Sequence, residues 1–194
     1  VRIHAVLDSK SVTAAFQFDV NPGAVTMVRH RVAIFPRVEL RETGIAPLTS
    51  MFWFSPASRR AVDDYRPAVH DSDGLQMHTG AGQALWRSLT APSTLQISSF
   101  VDNNPAGFGL VQRNREFETY QDAEAMYHLR PSVWIQPEGD WGEGEVRLIE
   151  IPVQNEFNDN IVSYWLPKAP LARGTRHEFR YRMSFAPLPS NDVP

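Results

Sequence analysis

The sequence predicts an all-β fold, and three observations carry that prediction. Apolar residues recur at every second position in run after run, the period of a strand with one buried face. Fifteen prolines are spread along 194 residues, which leaves little room for long helices. Turn chemistry separates the runs, and about ten short strands divided in this way indicate an antiparallel sandwich or barrel.

The elements follow in order. Arg2 to Leu7 alternates, and Asp8-Ser9-Lys10 turns the chain. Val12 to Val20 places Ala14, Phe16 and Phe18 on one face. Asn21-Pro22-Gly23 is a strong turn, since proline presets one dihedral and glycine accepts a positive one. Val25 to Phe35 is a long third strand, so the first three strands are expected to form an antiparallel meander. Shorter strands are expected at Met51–Phe54, Ala84–Leu89, Leu95–Phe100, Ser132–Gln136, Glu145–Ile151, Ile161–Trp165 and Glu178–Phe185. Phe117 to Tyr127, with Tyr120, Glu124 and Tyr127 three and four residues apart, reads as a helical turn inside a loop. Residues 59–82 show neither periodicity, and a connection that long is more often functional than accidental. The proline-rich end after Phe185 reads as an interdomain linker. At the other end, Val-Arg-Ile-His-Ala-Val-Leu reads as the middle of a strand, so the chain is expected to be an internal piece of a longer protein.

Composition removes several classes of function. Nineteen Lys and Arg against 22 Asp and Glu leave no excess positive charge for a nucleic-acid groove or a polybasic membrane patch. No apolar run approaches the 18 residues or so of a membrane span. The absence of cysteine excludes disulfides, thiolate zinc sites and cysteine nucleophiles together. No cofactor or metal site is expected. His70 has no second histidine at ligand spacing. A calcium loop starting at Asp71 would need a ligand at Leu75 and a glutamate at Gly82. Asn104-Pro-Ala-Gly-Phe-Gly109 is glycine-rich, but no following helix could cradle a phosphate.

Two acidic loops remain. Asp63 to Leu75 packs four carboxylates with Tyr65, Arg66 and His70 into a nonperiodic stretch, and Asn155-Glu-Phe-Asn-Asp-Asn160 separates two strands. Solvated turns rich in Asx hydrogen bonds account for either loop taken alone. Together, however, carboxylates on two loops of one sheet rim are what glycoside hydrolysis requires: one protonates the leaving oxygen and the other activates water or attacks directly. Exposed aromatic rings suit the apolar faces of sugars. Trp134 and Trp165, on alternating strands, are expected in the core. Trp141, inside Pro137-Glu-Gly-Asp-Trp-Gly-Glu-Gly144, is expected to be exposed.

A resemblance sharpens this reading. Leu7-Asp-Ser-Lys-Ser-Val-Thr13, Gly44 to Phe52, Asp63 to Leu75, Asn104 to Leu110, Gln112-Arg-Asn-Arg-Glu-Phe117, Arg130-Pro-Ser-Val-Trp134, Gly139-Asp-Trp-Gly142 and Asn158-Asp-Asn-Ile-Val162 resemble, in order, the osmoregulated periplasmic glucan biosynthesis protein family, forms G and D. The resemblance implies a galactose-mutarotase-like β-sandwich (a supersandwich) followed by a small immunoglobulin-like domain. Residues 1–186 would be the C-terminal half of the sandwich, and 187–194 the linker to the second domain. It implies a periplasmic location and action on β-1,2-glucan, as an anomer-inverting endo-glucanase or a transglycosylase. A non-catalytic glucan-binding or scaffold component of the synthesis machinery is the alternative. The general acid falls on Asp159 and the general base on Asp71. Tyr65, Arg66, His70, Asp73, Arg113, Tyr120 and Trp141 are expected to contact substrate or to tune the two carboxylates. Ala68 stands where the family usually has Glu, and Ala106 where it usually has Arg. Expected partners are the glucan chain and the rest of the same polypeptide, with a homodimer also allowed for. Asp71 and Asp159 are expected in one groove lined by Tyr65, Arg113 or Trp141, more than about 6 Å apart.

Overall fold

The structure is a computed structural model and describes residues 1–59 and 62–187. Seven of the nine residues that read as a linker, 188–194, lie outside the described residues.

Fourteen strands are present among the described residues. β1 (Arg2–Asp8), β2 (Val12–Asn21) and β3 (Thr26–Pro36) form the expected antiparallel meander. There follow β4 (Ile45–Ser50), β5 (Phe52–Phe54), β6 (Val69–His70), β7 (Gly74–His78), β8 (Ala84–Ser88), β9 (Gln96–Asn103) and β10 (Gly107–Val111). The chain then makes one helical turn, α1 (Phe117–Tyr120), and a 3-10 turn at Tyr127–Leu129. It ends in β11 (Ser132–Glu138), β12 (Glu143–Glu150), β13 (Ile161–Pro167) and β14 (His177–Ala186). Eight strands form one antiparallel sheet in the order β1-β2-β3-β14-β11-β10-β7-β8. Four form a second in the order β4-β13-β12-β9, and β5 pairs with β6 alone. The helical turn expected over Phe117–Tyr127 is present only as Phe117–Tyr120, because a left-handed Gln121 ends α1 after one turn.

The two sheets face one another across a core in which Val146, Leu148, Ile161 and Trp165 from the small sheet meet Leu75, Met77, Phe108, Ile135 and Phe179 from the large one. Close approach depends on glycine. A Cβ on Gly107 or Gly109 would fall within 3 Å of the Trp134 ring, and one on Gly144 would strike the Trp165 ring at 2.5 Å. The glycine-rich run therefore bends only over Asn104–Ala106 and enters β10 at Gly107. β10 is a central strand buried at every position, kept bare so that a tryptophan can lie flat across it.

Four strands correct the sequence reading. β6 and β7 fall inside the stretch expected to be irregular. β4 and β10 were not expected at all. β7 and β10 sit between other strands with few wet positions, so they carry no alternation to detect. β4 is broken in pattern by Pro47 and by a left-handed Ala46, which its place at the sheet edge tolerates.

Eight strands against four leave the large sheet overhanging. Every residue of β1 is exposed, Val6 at 76% and Ile3 at 49%. An apolar groove of about 430 Å³, lined among others by Leu7, Val12, Phe16, Val32, Leu40 and Tyr181, runs along the uncovered part. Such faces are rarely left open in a monomer. Produced alone, the chain should self-associate or unfold without cooperativity; a light-scattering and denaturation profile of a monomeric, two-state unit would contradict this.

His30 sits on the inner face of β3, 8% exposed, stacked on Tyr181 at 4.4 Å and edge-on to Phe18. Neither ring nitrogen has a hydrogen-bond partner, and burial pushes its pKa down to about 4 from 6.5. A depressed histidine favours the fold while neutral. That stability is complete above pH 6.5 and lost as pH falls through 4, at most about 3 kcal/mol. Denaturant midpoints between pH 7 and 4 should fall accordingly, and His30→Phe should remove that part of the acid sensitivity.

Candidate active site

The two acidic loops are tied to the same two residues. The Asp71 backbone N–H donates to the Met51 carbonyl at 2.8 Å. One residue on, Phe52 is bracketed by Asn160: its N–H donates to Asn160 Oδ1 at 2.8 Å, and its carbonyl accepts from Asn160 Nδ2 at 2.9 Å. Asn160 Nδ2 also reaches the Ile151 carbonyl, and Ile151 N–H returns to the Asn160 carbonyl, closing the loop that carries Asp159. Asn160 is 1% exposed, so each of these bonds satisfies a group that would otherwise be buried without a partner. Asp71 is thus bonded to Met51 directly, and Asp159 is one residue from Asn160, which is bonded to Phe52. Beneath them lies a second small core of Met51, Phe54, Ala68, Val69, Tyr120 and Tyr127.

Electrostatics separates the two carboxylates. Asp159 stands exposed on its loop. Asp71 is half-buried, and burial holds its carboxyl above the ordinary 3.8; the charges of Asp159 and Glu156 push the same way, against the opposing pull of Arg130. Arg130 Nε lies 3.3 Å from Asp71 Oδ1, but the buried oxygen receives no hydrogen bond from it. The pair is therefore Coulombic.

Next to them is an arginine fork. Arg66 meets Asp64 at 2.8 Å, Asp122 at 2.6 Å and Glu156 at 2.9 and 3.0 Å. These bonds raise the guanidinium pKa, Asp64 contributing most, and the bond to Arg66 holds the Asp64 carboxyl below its usual range. Glu156 also accepts from the Tyr127 hydroxyl. Burial, reinforced by Glu156 and Asp71, pushes that hydroxyl well above 10. One ion-pair network thus joins Asp64, Arg66, Asp122 and Glu156 at the rim, with the Tyr127 hydroxyl hydrogen-bonded to it.

The residues expected to bind substrate fall into distinct places. Tyr65, 77% exposed, and Arg66 line an open cleft of about 720 Å³ with Asp63, Asp64, Asp122 and Glu156. Asp73 and Arg113 line another of about 420 Å³ with Trp86 and Phe52, where the Arg113 guanidinium stacks 3.9 Å above the Trp86 ring. His70 and Tyr120 are buried beneath the rim. Trp141 is the correction. It is 5% exposed, packed against Phe179 and Tyr181 at 5.7 and 5.9 Å and near Trp165. Left-handed Gly139 and Gly142 flank it as a turn requires, but Asn104 Oδ1 accepts from the N–H groups of both Trp141 and Gly142 and folds the ring inward. It lines neither cleft. Among the described residues no cluster of three or more His, Asp or Glu could hold a metal ion.

Comparison with known sequences decides the family. The family described as "Periplasmic glucan biosynthesis protein, MdoG" matches residues 1–193. The chain belongs to that family. Relatives called "Glucans biosynthesis protein G" are 52% identical in Vibrio cholerae serotype O1 over 187 residues, 96% of this chain and 34% of the relative. In Shewanella baltica the identity is 52% over 191 residues, 98% and 35%; in Bradyrhizobium diazoefficiens it is 52% over 181 residues, 93% and 36%. The chain spans about a third of the length of these MdoG relatives. The family's name implies a periplasmic protein, and no helix among the described residues is long and apolar enough to cross a membrane.

Sequence reasoning overlooked Asn160, Asp122, Arg130 and Gln112, whose roles are long-range bonds with no local signature. Asp71 supplies a test. Because its folded pKa lies above its unfolded value, the ionised carboxylate opposes folding once pH rises past the ordinary 3.8. Asp71→Asn should therefore raise the melting temperature at pH 7 while leaving it nearly unchanged near pH 3. A lower melting temperature at pH 7 would contradict the assignment.

Proposed function

We propose that this chain carries the catalytic centre of a periplasmic β-1,2-glucan-active glycoside hydrolase that inverts the anomeric carbon, with Asp159 as general acid and Asp71 as general base. The observation that carries it is the pair of carboxylate loops tied to one dipeptide, in a family concerned with periplasmic glucan. In the step, the Asp159 carboxyl gives its proton to the glycosidic oxygen as the bond to the anomeric carbon breaks. A water attacks that carbon from the opposite face, and its proton passes to the Asp71 carboxylate. An acceptor sugar hydroxyl in place of water makes the same step a transglycosylation. Half-burial suits Asp71 to this part, since a carboxylate with a raised pKa is a stronger base when ionised. Asp159, exposed on its loop, is open to a chain lying across the rim.

Sugar binding follows the two clefts. In one cleft the Tyr65 ring and the Arg66–Glu156 network offer a flat apolar face beside charged hydrogen-bonding groups, and in the other the Arg113–Trp86 stack beside Asp73 does so. Both arrangements match a polymer of pyranose rings. The remaining two thirds of the relatives' length would complete the groove, and the glucan and that polypeptide are the proposed partners.

Incubation of the full-length protein with linear β-1,2-glucan should shorten the chains, with products released in the opposite anomeric configuration. Asp159→Asn keeps the shape without the transferable proton, so turnover should fall by about 10²–10⁴ with little change in glucan binding. Binding without any chain shortening by the unaltered protein would instead establish the scaffold alternative.

A further inference from the structure

Directly under Asp71 lies a side chain with no part in the proposed chemistry. Gln112, at the end of β10, is 0% exposed, and its amide is fully engaged. Nε2 donates to the His70 carbonyl at 2.9 Å and to the Tyr127 carbonyl at 3.2 Å. Oε1 lies 3.0 Å from His70 Nδ1. The backbone N–H of the same residue donates to Ser132 Oγ at 3.0 Å. Gln112 therefore clamps the residue before Asp71 to the turn whose tyrosine hydroxyl bonds Glu156.

The amide can face only one way. Turned over, its oxygen would oppose two carbonyl oxygens in a dry interior, and two acceptors would lose their donor. With Nε2 committed to the carbonyls, Oε1 must accept, and the proton on that edge of the imidazole must be on Nδ1. His70 Nε2 is then the unprotonated nitrogen of the neutral ring. It faces Asp73 Oδ1 at 3.6 Å, too far for a hydrogen bond. Asp73 is itself held in place: its other oxygen accepts from the N–H groups of Arg113 and Asn114 at 2.5 and 3.1 Å. Phe52 stacks on the imidazole at 5.1 Å, and Tyr120 closes it edge-on.

We propose that Gln112 is a positioning residue of this site: its buried amide fixes His70 in the Nδ1–H form and thereby sets where Asp71 and Asp73 stand on the loop between β6 and β7. The proposal rests on the glycosidase reading for its catalytic consequence, but not for the tautomer. The groups facing the His70 ring are Asp73 from its own loop, Tyr120 from α1, the Gln112 amide from β10 and Phe52 from β5. Arg115 acts on Asp73 and Tyr120 from further away. Of these groups Asp73 is the one that faces Nε2, so any proton the ring gains enters at Nε2 while Nδ1 keeps its hydrogen.

Long-range ¹H–¹⁵N spectra of the full-length protein, with His70 assigned by its loss in His70→Asn, test this without reference to activity. The expected result is a protonated Nδ1 at every pH at which the protein is folded, with only the Nε2 resonance moving. A bare Nδ1 with a protonated Nε2 at neutral pH would overturn the proposal. Gln112→Glu keeps the shape and the acceptor but removes both donors. In the folded variant, kcat on β-1,2-glucan should fall between about tenfold and a hundredfold with KM nearly unchanged, as a displaced base requires. Wild-type kcat in a folded Gln112→Glu protein would also overturn it. Should that variant fail to fold, or the unaltered protein fail to cleave glucan, the His70 spectrum decides alone.

Discussion

The site depends on a dipeptide of backbone. Met51 and Phe52 join the end of β4 to β5, and both acidic loops hang from their amide and carbonyl groups. The loops come from residues far apart in sequence, near 70 and near 160, and neither has regular structure to hold it. Direct hydrogen bonds to one short rigid segment remove the freedom each loop would otherwise keep. Ser50 and Ser72, whose hydroxyls lie 2.6 Å apart, add a further tie between the same segments. The carboxylates are placed by neighbours that themselves have no chemistry to perform.

This division between holding and acting recurs through the rim. The fully buried polar groups, Asn160, Gln112 and His70, are uncharged in their bonding and have their partners within the protein. The charged groups of the network are largely buried as well, the Arg66, Asp64 and Asp122 side chains being 7–12% exposed, and they neutralise one another. Asp71 differs in that its Oδ1 takes no hydrogen bond from a counter-ion: it is half-buried with three charges in its field. Its raised pKa is the cost of that position to the fold, and the origin of its basicity. Perturbed carboxylates of this kind concentrate at functional sites because folding alone has no use for them.

The architecture explains why the rim lies where it does. Segments that carry the site, Met51, Val69 and Tyr127 among them, pack into the second small core and not into the main one between the sheets. Strand β1, at the edge of the large sheet, leaves Ile3 and Val6 exposed. The part of the chain that holds the carboxylates has its own buried core, while β1 shows apolar groups that a monomer rarely leaves open.

Much of this was readable before any coordinates. The meander, most of the strands and both acidic loops follow from period-two patterning and turn residues, because a strand with one wet face writes its burial into alternate positions. The resemblance carried Asp71 and Asp159 as a pair. What could not be read shares a physical cause. β7 and β10 sit between other strands with few wet positions, so alternation vanishes and glycine imitates a loop. Trp141 occupies a turn, and local chemistry says exposed; a single asparagine 37 positions earlier folds it into the core. Gln112 and Asn160 are ordinary polar residues in sequence. Their part arises only when chain segments about 40 and 110 residues away close on them, and bonds at that range are set by packing, which leaves no local pattern.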